Sequence, residues 1–153
     1  MSGSARHRLW RLALPLAACL LAQGAGAAAA PTLVVESARA LASLPGSDST
    51  ALYVSVRNDG AEPDRLLAAT TQAASMVHLH AGVLQGGVSS MRPSQGFTVP
   101  AHGRLELRSG GDHLMLMGLP HPLQPGTTLA LTLTFASAGE LKVVVPVVAV
   151  TGN

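Results

Sequence analysis

Four side chains with metal-binding chemistry follow one another at set intervals: His80, ten residues, Met91, twenty-one residues, His113, one residue, Met115. Two imidazoles and two thioethers are neutral donors, and thioethers favour a soft, monovalent ion such as Cu(I) over hard cations. Zinc sites draw on Cys, His and carboxylate and seldom on Met. Calcium and magnesium require oxygen ligands, and the chain has no acidic cluster. An imidazole binds metal only after losing its extra proton, so affinity should fall at low pH. Residue by residue the choice stays open: a strand methionine is more often core filler than ligand, and a lone histidine is usually a surface or hydrogen-bonded core residue.

The elements that must position these side chains read as short strands between turn signals. Thr32 to Glu36 is a first strand, and Ala42 to Thr50, with Pro45-Gly46-Ser47-Asp48 inside it, is a loop. Leu52 to Arg57 is rich in β-formers and ends at Asn58-Asp59-Gly60; Arg65 to Ala69 follows as another short strand. Met76 to Ala81 alternates, with Val77 and Leu79 on one face and Met76, His78 and His80 on the other. Gly86-Gly87 marks a hairpin turn before Val88 to Arg92. Phe97 to Val99 and Arg104 to Arg108 flank Pro100-Ala101-His102-Gly103. In His113 to Met117 the histidine and both methionines share a face opposite Leu114 and Leu116, so His113 and Met115 can approach one ion from the same side. Thr128 to Phe135 and Leu141 to Val150 close the chain, the latter interrupted by Pro146, which suits an edge or bulge. No convincing helical period occurs, and the spacing of the strands predicts an all-β sandwich or partly closed barrel in a single domain. Met76 and Met117 are expected in or near the core, Met117 close enough to rim the site. His78 is expected at the surface, and His102 and His121 in solvated loops.

The first residues have a different character. Arg6, Arg8 and Arg11 precede an apolar stretch from Leu12 to Leu21, and Ala22 to Ala30 is small-residue rich. This is the order of a secretory signal, with Ala25-Gly26-Ala27 as cleavage site: residues 1–27 are expected to be removed and residues 28–153 to form the domain. Leu16-Ala17-Ala18-Cys19 has the form of a lipoprotein box, but Leu20-Leu21 follows where such a chain turns polar, so lipid anchoring at Cys19 is the lesser expectation. The exported part keeps seven basic and eight acidic side chains, a formal charge of −1. It has no basic stripe for nucleic acid and no basic cluster for an anionic membrane surface. Cys19, the single cysteine, leaves with the signal or carries lipid, which removes thiolate chemistry from the domain. Tyr53, Phe97 and Phe135 are its three aromatics, so the core must be mainly aliphatic.

The stretches Val77-His78-Leu79-His80, Met91-Arg92-Pro93 and Gly110-Gly111-Asp112-His113-Leu114-Met115-Leu116-Met117-Gly118-Leu119 resemble the periplasmic copper chaperones of the PCuAC family, whose spacing of His, ten, Met, twenty-one, His, one, Met this chain matches without a gap. Similar flanks extend the resemblance from about Thr32 to Val147, among them Ala51 to Asn58, Glu62 to Leu66, Leu131 to Phe135 and Ala138-Gly139-Glu140. The resemblance implies a cupredoxin-like β-sandwich, Cu(I) as cargo, and His80, Met91, His113 and Met115 as its ligands. It also implies a periplasmic location and delivery to copper centres of respiratory oxidases, with a cytochrome oxidase subunit or another copper chaperone as recipient. Members often carry extra methionines soon after the first histidine or two residues before the first ligand methionine. Here those places read Ala81-Gly82 and Ser89-Ser90.

Other functions fit less well. A blue-copper electron carrier needs a Cys thiolate beside two His, and the exported chain has none. No Gly-x-Ser-x-Gly elbow, His-Glu-x-x-His, phosphate loop or catalytic carboxylate pair occurs, so no enzyme is expected. Copper storage or resistance needs the same four ligands, but a single site without Met-rich repeats favours transfer. Without a heptad pattern the expected state is a monomer.

Overall fold

The computed structural model describes residues 33–150. The expected signal segment, with Cys19, lies outside them. Ten strands follow one another: β1 (Leu33–Leu41), β2 (Ser49–Asn58), β3 (Asp64–Thr71), β4 (Met76–Gln85), β5 (Val88–Pro93), β6 (Phe97–Val99), β7 (Arg104–Glu106), β8 (His113–Met117), β9 (Thr128–Phe135) and β10 (Gly139–Val148). No helix occurs among the described residues, and so none that could cross a membrane.

The strands hydrogen bond in one open order, β5-β4-β8-β2-β1-β10-β9-β3-β6, with β7 also on β2. The join between its two halves is narrow: β1 meets β10 in parallel at Ala40–Val147 and Leu41–Val148 alone. Beyond that seam the sheet folds over itself. β3 packs on β4, and β6 on β7, without ladder hydrogen bonds between them. One core fills the space, with Leu52, Val54, Leu79, Leu114 and Leu116 from one half against Leu66, Leu131, Leu133 and Val145 from the other. This is the all-β sandwich that the strand pattern predicts, in the cupredoxin-like form that the family resemblance implies.

Alternation explains the layering. In β9 the leucines and Phe135 turn inward while the threonines face out or lie at the margin. In β8, Leu114 and Leu116 are fully buried, each worth roughly 2–3 kcal/mol relative to exposure. The core is aliphatic apart from Phe97 and Phe135. Gly86 and Gly87 stand at φ +59° and +80°; a two-residue turn with both φ positive matches the strand twist and sets the β4–β5 register from Gln85–Val88 onward. Asp64, buried at the start of β3, accepts backbone N–H bonds from Arg65 (2.7 Å), Ser137 and Ala138 (both 2.9 Å), pinning the β9–β10 turn onto β3.

Several boundaries differ from the sequence reading. β1 continues past Glu36 to Leu41, through a bulge between Val35 and Ser37. Ala40 is fully buried, and the Arg39 guanidinium lies 5.1 Å from the centre of the Tyr53 ring, so this arginine stays on the strand by stacking. β7 ends at Glu106 rather than Arg108, although the Leu107 N–H still reaches the Val54 carbonyl at 2.8 Å. Pro146 pairs with Thr128 of β9, and the seam with β1 begins only at the next residue, so its missing N–H interrupts no ladder there.

Candidate metal centre

Strands β4 and β8 run antiparallel, with Met76 opposite Met117, His78 opposite Met115 and His80 opposite His113. Partners in an antiparallel pair project to the same side. The reverse side of both strands carries Val77, Leu79, Leu114 and Leu116, which belong to the core or pack on it. The imidazoles and thioethers therefore line the outer face. β5 adds Met91, which pairs with Gly82 and so lies on that face too, diagonal to His80. All four methionines of the described residues occupy this one surface, and none is in the core. The expectation that Met76 and Met117 pack in or near the core is overturned, since they are 53% and 36% exposed, while Met117 does border the Met115 face as its alternation predicts. Residue type misled there, because the alternation that buries Val77 and Leu116 must turn Met76 and Met117 outward.

The two histidine rings meet edge to face, centroids 5.4 Å apart and planes at 87°. His113 is buried, and its Nδ1 lies 3.0 Å from the Gly111 carbonyl oxygen. A carbonyl only accepts, so Nδ1 carries the proton and the lone pair of a neutral ring sits on Nε2. A backbone partner that fixes tautomer and ring orientation is the usual support of a metal-binding histidine. His80 is half-buried, and its pKa is lowered by that burial first, then by the neighbouring His113 and His78. Each cause disfavours its charged form and keeps a donor lone pair available near neutrality.

Gly82 lets the turn before β8 lie directly against β4: a Cβ there would come within 2.8 Å of the Gly111 backbone. Asp112 holds that close approach by accepting the Gly82 N–H at 3.1 Å. On the other side of His80, Met115 is half-buried with only Ala51 opposite it on β2. The structure thus pairs His80 with His113 directly, sets Met115 diagonal to His80, and leaves Met91 as the outlying member, 45% exposed. Gly82, Gly111 and Asp112 were not singled out from sequence; a glycine inside the alternating β4 pattern was the available sign of close backbone approach. His78 is exposed, as expected. His102 takes a left-handed φ of +50° in the turn before β7.

Among the described residues no three His, Cys, Asp or Glu side chains gather into a group able to hold a metal. The thioethers of this face favour soft ions over hard ones.

A sandwich with no helix among its described residues, and an outer face of imidazoles and thioethers, defines a cupredoxin-like domain of distinctive donor chemistry. The sequence profile of the family described as "Putative lipoprotein LpqE-like" matches residues 33–147, and the chain belongs to this family, whose fold is that of PCuAC domains. The Leifsonia xyli subsp. xyli protein named "Putative lipoprotein Lxx21020" is 38% identical over 114 residues, covering 74% of this chain and 69% of the relative. The copper-bound PCuAC domain from PmoF2 superposes with a TM-score of 0.67 at 25% identity, over 79% of this chain and 96% of that domain. The solution structure of Cu(I)-DR1885 from Deinococcus radiodurans gives a TM-score of 0.62 at 33% identity, over 82% of this chain and 83% of that one.

Proposed function

We infer that this protein is an exported copper chaperone of the periplasm, binding one Cu(I) through His80, Met91, His113 and Met115. It delivers the ion to copper centres of respiratory oxidases, directly or through another copper chaperone. The observation that carries this reading is the direct pairing of His80 with His113 on the face that collects every described methionine. The likeness to domains solved with copper, one of them as Cu(I), supports the choice of ion. The graded exposure of the donors, from buried His113 to exposed Met91, suits a carrier. A recipient's ligand displaces Met91 first, while the histidine pair still holds the ion. Neutral donors without thiolate also suit an oxidising compartment. Nothing in this scheme asks the protein for a catalytic step.

The leader sequence and the lipoprotein names of the relatives support export. Cleavage near Ala27 releases a free carrier, whereas lipid on Cys19 would tether the same domain to the membrane; the mass of the exported protein separates the two.

The test is an anaerobic Cu(I) titration against a competing chelator, with Met91→Leu and His113→Ala beside the wild type. One equivalent held by the wild type and weakened in both variants is the expected result. A wild type that never competes with the chelator would return the domain to a plain exported sandwich.

A further inference from the structure

The outer face of β4 and β8 does not stop at the four proposed ligands. Counting cross-strand pairs from His80–His113, the next is His78–Met115 and the one beyond is Met76–Met117. Every position of these three consecutive pairs carries an imidazole or a thioether. Two donors of the outermost group already touch, His78 Nε2 lying 3.1 Å from the Met76 sulfur, and Met117 is the cross-strand partner of Met76. Nitrogen and sulfur donors roughly 3–4 Å apart can share one first-row ion with bonds of about 2.0–2.3 Å. The His78 and His80 ring centres are 6.1 Å apart, so the outer group borders the proposed chaperone site.

Packing does not account for these side chains. Met76 and Met117 are 53% and 36% exposed, and His78 is exposed beside them. A flexible thioether has its ordinary use as filler of irregular core gaps, and here two of them face solvent beside an imidazole. No carboxylate sits on these three pairs, so a hard cation has nothing to bind.

We propose that Met76, His78 and Met117 form a second, exposed site for a soft monovalent metal ion, through which the ion enters or leaves the His80/His113 centre. The proposal rests on the copper-carrier reading for its direction of traffic, while its ligands are distinct from that site's. With three neutral donors open to solvent, the outer site binds more weakly and exchanges faster than the inner one.

The test uses Ag(I), a soft closed-shell probe that undergoes no redox change, titrated into the purified protein with methionine methyl and histidine ring resonances followed by NMR. The expected result is two successive events. The first equivalent moves Met91, Met115, His80 and His113; the second moves Met76, Met117 and His78. The double variant Met76→Leu/Met117→Leu keeps the first event and loses the second; both positions are exposed and the exchange nearly conserves volume, so the fold is retained. His113→Ala weakens the first event and retains the second. A wild type that saturates after the inner four residues move, with the Met76 and Met117 methyls unshifted, overturns this proposal and leaves the chaperone reading intact. So does a double variant that takes up the second equivalent unchanged. Loading of the outer residues alone would overturn the inner site and with it the passage proposed here, and no uptake at all would likewise overturn both.

Discussion

Asp112 ties the strand that carries His80 to the turn that leads into His113: one of its carboxylate oxygens accepts the Gly82 N–H at 3.1 Å. Neither residue has a side-chain donor for a soft metal, yet together they fix how β4 lies against the start of β8. Asp112→Ala should lower stability by about 1.5 kcal/mol, the value of one hydrogen bond to a charged group. It should also weaken Cu(I) binding by roughly tenfold to a hundredfold, as losses of supporting contacts around metal sites do. Asp112→Asn keeps an accepting oxygen and should recover part of both. Urea unfolding and chelator competition on the same preparations check the pair; a loss of stability with Cu(I) affinity unchanged would show that the contact does not position the site.

Gly82 offers a sharper steric test. A Cβ would lie 2.8 Å from the Gly111 Cα and carbonyl carbon, both backbone atoms that cannot swing aside. Gly82→Ala should therefore push β4 away from the turn before His113, costing about 1–3 kcal/mol as overpacking does, and should weaken Cu(I) binding. Gly86→Ala is the control. That glycine has a left-handed φ of +59° but nothing within 4 Å of the added carbon, so it should cost about 1 kcal/mol and leave Cu(I) affinity as it was.

Proton linkage follows from His80. Its folded pKa is lowered by burial, then by His113 and His78, while the unfolded chain keeps a value near 6.5. Above about pH 6.5 both states are neutral at this residue and it contributes no slope. Below that, the unfolded state takes up the proton first, so stability falls with pH until the folded ring also protonates. His80→Gln should remove this component of the slope, measured as unfolding free energy between pH about 7.5 and about 5.5. On the proposed function, the same shift keeps His80 a competent donor to lower pH than an ordinary histidine. An NMR titration in which His80 protonates at or above the ordinary value would contradict this account.

Stability and metal binding should separate cleanly at Asp64. Its buried carboxylate accepts three backbone N–H bonds far from the His/Met face, on the half of the sheet that contains β9 and β10. Asp64→Ala leaves those donors unmatched and should cost about 2–4 kcal/mol. The fraction that stays folded should still bind one Cu(I) with wild-type affinity. A parallel loss of affinity would mean that the two halves of the sandwich are coupled more tightly than their two-residue seam suggests.

Much of the site was legible because a strand has a period of two. The shared face of Met76, His78 and His80, and that of His113, Met115 and Met117, follows from alternation with Val77, Leu79, Leu114 and Leu116. The Gly86-Gly87 hairpin was legible as well, since two adjacent glycines supply the two positive φ values. What alternation cannot give is which strands are neighbours. β4 and β8 are separated along the chain by β5, β6 and β7, so the pairing of His80 with His113 depends on tertiary contacts. At Met76 and Met117 two signals conflict: apolar character argues for the core, while the alternation of their own strands turns them outward, and alternation wins. The extension of β1 through Arg39 is not legible in the sequence, because only the tertiary fold brings Tyr53 under this charged side chain.

Strand β8 divides its labour between two sides, with Leu114 and Leu116 facing inward and His113 and Met115 facing outward. The leucines that build the interior are not the side chains that would hold an ion, unlike the arrangement in small domains whose collapse waits for a metal. Under the carrier reading proposed above, loading and unloading act on the outer side of the strand and leave the packed leucines in contact, so the same folded chain serves successive rounds. Its donor set can also be exchanged side chain by side chain with little disturbance to the leucines behind it, so selectivity and structural integrity answer to different residues of the same five-residue strand.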